Sequence, residues 1–206
     1  MKLLGRPTSI NVRKVLWLLD ELALPFEHEP WGTPELPLTD PGFRALSPQG
    51  LVPVLVDGDL VLRESNTLCR YLAAREGRTD LLPAAPAARA VVEQWMDWQA
   101  TELNNAWRHA FMGLVRRHPD YADPAAIAVS VAAWNRAMQM LDAQLQRGGA
   151  WVAGDTFTLA DLVLGLSHAR WRAAPIEHAV LPAVDAWRTR LLQRPAYGRH
   201  GENGMP

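Results

Sequence analysis

The chain has 206 residues, 49% of them hydrophobic, and its 21 basic residues are balanced by 22 acidic ones. This length and apolar content suffice for one large domain or two small ones with a sizeable core, while a formal net charge of -1 removes the electrostatic argument for a nucleic-acid partner. No apolar run approaches the roughly 20 residues that span a bilayer, and the N-terminus lacks the long apolar core of a secretory signal, so we predict a cytoplasmic protein with no membrane contact.

Mixed elements are predicted in the first part of the chain, from residue 1 to about 77. They are, in chain order, a strand at Lys2–Leu4, a helix at Asn11–Leu22, a strand at Phe26–Glu29, a hairpin of Val54–Val56 and Leu60–Leu62 turning at Asp57-Gly58, and a helix at Ser65–Arg75. Prolines between Pro30 and Pro48 predict an irregular segment with one short helix near Phe43. This order predicts a small sheet covered by helices.

Helices alone are predicted in the second part. Prolines and alanines from Thr79 to Ala88 indicate a linker, so we predict domains at 1–78 and 89–206 joined by residues 79–88. The predicted helices of the second domain, a bundle of about five, include Ala87–Val115, Ala125–Gln146, Leu159–Trp171 and Leu181–Gln193. The polar tail from Tyr197 to Pro206 is predicted to be mobile.

One local signal in the second domain concerns folding. In the run Phe157-Thr158-Leu159-Ala160-Asp161-Leu162, we predict that Thr158 caps a helix while the Asp161 carboxylate accepts a hydrogen bond from the Thr158 N–H. Phe157 and Leu162 are then placed to form a hydrophobic staple. We predict a structural role for this box and no chemistry.

Neither cysteine nor histidine predicts a redox motif or a metal site. The single cysteine, Cys69, excludes an intrachain disulfide framework and any Cys-x-x-Cys motif, and its helical spacing with Leu68 and Leu72 indicates a buried thiol. No two of the six histidines stand four residues apart, the spacing that places two ligands on one helix face. We therefore predict no metal site.

Small hydroxyl and amide side chains occupy the point where the first loop turns into the first helix. Apolar residues recur at helical spacing beyond Ser9, which places Thr8, Ser9 and Asn11 at or near the helix N-terminus. Unpaired amide donors and the positive end of the helix dipole favour a bound anion there, and a thiolate suits such a site. Alternatively, Ser9 or Thr8 merely caps the helix.

A second candidate site lies where the chain enters and leaves the hairpin. Pro53, at the first position of a strand, leaves the backbone groups of Val52 in need of a partner, and an extended peptide can pair there. Glu64 and Ser65 open the next helix. Ser65 either caps that helix or, with its amide, binds a carboxylate.

Together these segments resemble the glutathione transferase family. The run Pro7-Thr8-Ser9-Ile10-Asn11-Val12-Arg13-Lys14-Val15 is similar to the start of its serine-type, theta- or phi-like members, in which the serine stands four residues before an arginine. Ser47-Pro48-Gln49-Gly50-Leu51-Val52-Pro53, Glu64-Ser65 and the box at Thr158 and Asp161 extend the resemblance over nearly the whole chain. It implies an α/β thioredoxin-like N-terminal domain, an all-α helical bundle as C-terminal domain, a homodimer, and glutathione bound in the first domain.

The resemblance also implies roles for individual residues. Ser9 is expected to donate a hydrogen bond to the glutathione sulfur. Val52 is expected to pair its backbone with the cysteinyl part of the tripeptide, held by a cis bond to Pro53. Glu64 and Ser65 are expected to bind the ammonium and carboxylate of the γ-glutamyl end.

The electrophile pocket is expected between the two domains, lined by the first long helix of the second domain and the loop after the first strand. Its candidate residues are Asn104, Trp107, Arg108 and Phe111. Their spacing equally fits ordinary core and surface positions.

The primary hypothesis is a glutathione transferase that activates the thiolate of glutathione, its co-substrate, for attack on a small hydrophobic electrophile. Asn11 leaves an alternative open, since Ser9-x-Asn11 resembles the hydroxyl-x-Asn pair of some bacterial relatives that act as glutathione-dependent disulfide oxidoreductases. A third hypothesis is a non-catalytic binding module with the glutathione-transferase fold.

Overall fold

A four-stranded mixed sheet forms the centre of the N-terminal part in the computed structural model, which describes residues 1–204. Its strands are β1 (Lys2–Leu4), β2 (Glu27–Glu29), β3 (Val54–Asp57) and β4 (Leu60–Arg63), in the spatial order β2-β1-β3-β4. β1 is parallel to β2 and antiparallel to β3, which pairs with β4 as a hairpin. This topology confirms the predicted thioredoxin-like domain.

Helices cover both faces of the sheet and build the remainder of the described chain. They are α1 (Ile10–Glu21), α2 (Pro41–Leu46), α3 (Ser65–Arg75), α4 (Pro86–Trp98), α5 (Asn104–Ala110), α6 (Pro124–Gly148), α7 (Leu159–Ala173), α8 (Pro182–Leu191) and α9 (Pro195–His200). Two π-helical turns, Gln99–Leu103 and Phe111–Val115, follow α4 and α5 without a break. The predicted all-helical second domain is confirmed.

Alternation along the short strands explains how the sheet is buried on both sides. Leu3 and Leu55 are register partners and belong to the main core with α1 and α3. Leu4 and Val54, the next register pair, belong to a smaller core with Phe43 of α2. Because successive side chains of a strand point to opposite faces, three residues per strand suffice to anchor both layers.

Two predicted boundaries, the hairpin turn and the start of the first helix of the second domain, each shift by one residue. The hairpin turns at Gly58 and Asp59 instead of Asp57-Gly58, because Asp57 stays in the ladder opposite Leu60 and Gly58 takes the left-handed conformation, with φ +60°. α4 begins at Pro86, inside the segment predicted as linker, and proline is favoured at the first helical position.

The predicted mobile tail is wrong for the residues that the structure describes. α9 forms within it, and Tyr197 is fully buried with its ring centroid 5.1 Å from that of Trp17. Beyond α9, the carboxylate of Glu202 pairs with the guanidinium of Arg188. The tail is polar in composition, but the buried ring of Tyr197, the ion pair of Glu202 with Arg188 and the contacts of Arg199 and His200 with Asp20 fix it. Residues 205 and 206 lie outside the described residues.

The predicted capping box is confirmed at the start of α7. The Thr158 N–H donates to Asp161 Oδ2 over 2.9 Å, and Asp161 Oδ1 accepts from the Val152 N–H and from Trp187 Nε1, both at 2.9 Å. Asp161 has no exposed surface. Its carboxylate therefore connects the start of α7 to the preceding loop and to α8. Nearly every residue of α7 is buried.

α1 is the element that joins the two domains. It packs against α3 on one side and against α7 and α9 of the helical domain on the other. Gly165 allows this close approach, because a Cβ there would lie 3.1 Å from Trp17 Cη2. Trp17 is fully buried at that contact.

Lys14, on α1, is a buried cation at the domain boundary. It is 1% exposed, and its Nζ donates to Gln99 Oε1 at 2.6 Å and to Asn66 Oδ1 at 3.1 Å, with Ser65 Oγ at 3.5 Å. All three of these hydrogen-bond partners are uncharged side chains. Burial lowers the pKa of Lys14 to about 8. Gln99 belongs to the first π-helical turn, which brings its amide to the lysine.

Lys14→Met is expected to remove a pH dependence of stability. Because the pKa of Lys14 is lowered in the folded state, the unfolded chain binds more protons above pH 8, and the free energy of unfolding rises with pH in that range. The wild type should gain about 2 kcal/mol over the variant between pH 7 and 9.5. Urea unfolding at both pH values measures this difference.

Lys2→Met is the matched control, since Lys2 is the other lysine of the chain and its pKa is raised by the Glu29 carboxylate. It should show no such change over the same range. An equal stability difference between wild type and Lys14→Met at both pH values would contradict the account of Lys14.

Candidate active site

Ser9 stands at the N-cap position of α1, but its hydroxyl does not cap the helix. The residue has extended backbone angles of φ -82° and ψ 124°, and its side chain makes no capping hydrogen bond. It is partly exposed and lines a cavity of about 460 Å³ between the two domains. The hydroxyl and the first N–H groups of α1 therefore face the same space, where the helix dipole adds positive potential.

Asn11 connects the two halves of the site. It lines the large cavity and also a smaller one of about 90 Å³ beside the hairpin. Its Oδ1 accepts a hydrogen bond from Ser65 Oγ at 3.3 Å, which ties α1 to the start of α3. With the oxygen engaged, the amide of Asn11 retains its two donors for a ligand.

The smaller cavity is built around the Val52–Pro53 peptide bond, which is cis. Ser47, 1% exposed, fixes the preceding turn, because its Oγ donates to the Leu51 carbonyl at 2.9 Å and accepts from the Leu51 N–H at 3.2 Å. The turn delivers Val52 to the cavity beside β3. The motif that contains Ser47 does not by itself predict this positioning role.

Glu64 and Ser65 close the smaller cavity from the other side. Glu64 is the N-cap residue of α3 and has φ 68°, a left-handed conformation that costs a non-glycine residue of order 1 kcal/mol or more. Ser65 is the first helical residue, so it does not occupy the cap position. Its hydroxyl is instead bonded to Asn11 and lies 3.5 Å from Lys14 Nζ.

The predicted pocket residues all lie on the large cavity. Asn104, Trp107, Arg108 and Phe111, from α5 and the π-helical turn after it, line it together with Ser9 and Asn11. Trp107 and Phe111 form an aromatic wall, with ring centroids 5.4 Å apart in an edge-to-face arrangement. The two cavities share Asn11 and Leu51, so they form one continuous cleft.

Further residues, which no sequence motif predicts to be there, complete the large cavity. These are Arg6, Ile10, Leu51, Ala100, Asn105, Met112, Arg116 and Arg170. Arg170 comes from α7, far along the chain from the other lining residues. No local motif marks it, since its place at the cleft depends on contacts with the distant rings of Trp107 and Phe111.

A separate cavity of about 490 Å³ lies on the outer side of the helical domain, between α6 and residues 175–179. Two amide side chains line it, and that of Asn135 accepts hydrogen bonds from Trp171 Nε1 and the Ala179 N–H and donates one to the Glu177 carbonyl. None of the predicted site residues lines it.

Neither a candidate metal-binding group nor a candidate membrane-spanning helix occurs among residues 1–204. No group of three or more His, Cys, Asp or Glu side chains is placed to hold a metal ion there. No helix in that range combines the length and apolar character needed to cross a membrane.

Comparison with known protein families matches both parts of the chain. Residues 3–80 match the glutathione S-transferase N-terminal domain, and residues 106–195 match the glutathione S-transferase C-terminal domain. Glutathione S-transferase GstB of Escherichia coli is 40% identical over 93% of both chains. Glutathione S-transferase 3 of Zea mays is 38% identical over 96% of this chain and 91% of its own.

Solved structures agree with these relatives. The theta class glutathione S-transferase of Xanthomonas axonopodis pv. citri, crystallised with glutathione bound, superimposes with a TM-score of 0.91 at 37% identity, covering 100% of this chain and 98% of that one. Its apo form gives a TM-score of 0.84. On the sequence matches, the shared fold and the cleft at the start of α1, this chain belongs to the glutathione S-transferase family.

Proposed function

We propose that Ser9 activates bound glutathione for attack on a small hydrophobic electrophile, which makes the protein a conjugating glutathione transferase. The observation that carries the proposal is that the Ser9 hydroxyl, at the N-terminus of α1, does not cap the helix and lies in the cleft between the domains. The relatives are named as glutathione transferases, which agrees with this activity.

The energy required is within reach of this arrangement. A free thiol has a pKa near 8.5, and lowering it by about two units takes roughly 2.7 kcal/mol of preferential thiolate stabilisation. One hydroxyl donor and a helix N-terminus together supply about that much. The thiolate sulfur then forms a bond to the electrophilic carbon as the leaving group departs with its electron pair.

The tripeptide is proposed to lie along the smaller cavity. An extended backbone there pairs with Val52 next to cis Pro53, in the manner of an added strand. Its γ-glutamyl carboxylate meets the Ser65 N–H at the start of α3, because the Ser65 hydroxyl proton is donated to Asn11, and its ammonium meets the Glu64 carboxylate. Lys14 lies 3.5 Å behind the Ser65 hydroxyl and adds positive potential on the carboxylate side.

The electrophile is proposed to bind in the large cavity. Trp107 and Phe111 offer an aromatic face to an apolar substrate, and the Asn104 and Arg108 side chains supply polar contacts at the rim. Because the cavity also contains Ser9, an electrophile stacked there lies next to the sulfur.

Asn11 is proposed to assist catalysis by positioning. Its Oδ1 accepts a hydrogen bond from Ser65, and through that bond Asn11 couples the sulfur end of the site to the γ-glutamyl end.

The comparisons do not favour disulfide reduction or a non-catalytic binding module. We further propose cytoplasmic detoxification of electrophiles as the setting, because the reaction needs reduced glutathione.

Ser9→Ala is expected to raise the pKa of the bound thiol by about one to two units and to slow conjugation of a model aryl halide about 10- to 100-fold near pH 6.5. Much of the lost rate should be recovered at higher pH, because the thiol of glutathione is then deprotonated without help from the Ser9 hydroxyl. The pH profile of kcat/KM from about pH 6 to 9 measures this effect.

Thr8→Ala is the matched control, since the neighbouring hydroxyl is exposed and lines neither cavity. The Thr8→Ala variant should have the same pH profile of kcat/KM as the wild type. Conjugation unaffected by Ser9→Ala at every pH would remove Ser9 from the mechanism.

Asn11→Ala should lower the rate of conjugation less than Ser9→Ala does. The reverse order, together with disulfide reduction that is faster than conjugation, would support the disulfide oxidoreductase.

A homodimer is proposed to form through α3 and α4. Val91, Trp95 and Trp98 share one face of α4, Val91 is 40% exposed, and the two tryptophans are only partly buried. Arg70 of α3 pairs with Asp97 of α4, which links the two helices into one surface.

Light scattering at micromolar concentration should give twice the chain mass of 22.9 kDa. Val91→Glu should shift the mass toward that of one chain, because it places a charge in the apolar contact. Val129→Glu, at a 68% exposed valine of α6, should not. A wild-type mass of one chain would contradict the proposed dimer.

A further inference from the structure

Arg170 places a buried guanidinium without a hydrogen-bond partner on the wall of the large cavity. The residue is 3% exposed, its Nε has no partner, and no residue among 1–204 accepts a hydrogen bond from its side chain. The guanidinium carbon lies 4.1 Å from the ring centroid of Phe111 and 4.7 Å from that of Trp107. The group is held by two aromatic faces, while its N–H donors have no acceptor among residues 1–204.

The charges around Arg170 are of its own sign. Arg6, Arg108 and Arg116 also line this cavity, and no aspartate or glutamate is among the residues that line it. Burial, together with the nearby cations Arg13 and Arg116, lowers the pKa of Arg170 to about 9. The cavity is therefore apolar on its aromatic wall and electropositive at its base.

An uncompensated cation in such a place is costly unless a ligand supplies the missing charge. Removing an ion from water costs several kcal/mol, and an anion with good geometry offsets that cost. The planar guanidinium presents paired N–H donors that match a carboxylate in a bidentate arrangement. Its aromatic contacts fix its orientation before any ligand arrives.

We propose that the electrophile of this enzyme carries a carboxylate, which binds Arg170 while the apolar body of the substrate stacks on Trp107 and Phe111. This inference rests on the proposed transferase function and extends it to a substrate class. The tripeptide is proposed to lie along the smaller cavity, which Arg170 does not line, and its γ-glutamyl carboxylate is proposed to bind at Ser65.

A suitable probe is 4-(chloromethyl)benzoate, compared with its neutral methyl ester. In both, the glutathione thiolate forms a carbon–sulfur bond at the chloromethyl carbon while the carbon–chlorine bond breaks and chloride leaves. The thiol proton passes to solvent, and the carboxylate takes no part in bond making. The readout is the acid-to-ester ratio of kcat/KM, divided by the same ratio for the uncatalysed reactions.

The wild type should prefer the acid about 10- to 100-fold by this corrected ratio, which is the range of a charge-assisted hydrogen bond. Arg170→Gln should bring the ratio close to one. Arg170→Lys keeps the charge without the fork and should retain part of the preference. Arg172→Gln is the matched control on the same helix, since Arg172 is exposed and does not line the cavity, and it should keep the wild-type ratio.

Three outcomes would overturn the proposal. One is a wild-type ratio of one or less. Another is an Arg170→Gln variant that loses acid and ester turnover by the same factor. A third is a loss of glutathione affinity in Arg170→Gln that accounts for the whole effect, which would assign the anion to glutathione.

Direct binding separates this inference from the proposed function. Quenching of tryptophan fluorescence by 4-methylbenzoate and by 4-methylbenzyl alcohol can be measured on the wild type without any turnover. Tighter binding of the benzoate, by about tenfold or more, supports the anion site even if both electrophiles prove unreactive. Equal binding of the two overturns it, even if the ester is conjugated and no Arg170 variant folds.

Discussion

The structure depends on the burial of α1 between the sheet domain and the helical domain. Ile10 and every residue from Val12 to Leu19 are buried, so no face of the helix is left to solvent along most of its length. A helix held on all sides cannot shift to suit a ligand, and its N-terminus is thereby fixed at the base of the interdomain cleft. The position of Ser9 is therefore set by the packing of α1, not by a local capping hydrogen bond.

The same packing explains why positive potential collects around the site. The N-terminus of α1 contributes its dipole, Lys14 lies one turn further along under Ser65, and Arg170 approaches from α7 on the side of the large cavity. Each of these groups is expensive to bury in the absence of an anion. A bound thiolate, a γ-glutamyl carboxylate and an anionic electrophile would each relieve part of that cost.

Sequence patterns predicted the elements and motifs that are local in the chain. The bounds of α3, the box at Asp161 and the position of Ser9 at a helix start all follow from spacing and cap chemistry within a few residues. Lys14 and Arg170 could not be predicted in this way, because their significance comes from partners 51 or more residues distant, such as Ser65 for Lys14 and Trp107 for Arg170. The ordered tail was missed for the same reason.

The central claim is that the start of α1, with Ser9, holds glutathione as its thiolate. Its most direct test is the pKa of the bound thiol, measured by following the cysteinyl carbon of isotopically labelled glutathione by NMR across pH in the saturated complex. The account predicts a pKa about two units below the value of free glutathione. A bound thiol that titrates at the same pH as free glutathione would contradict it.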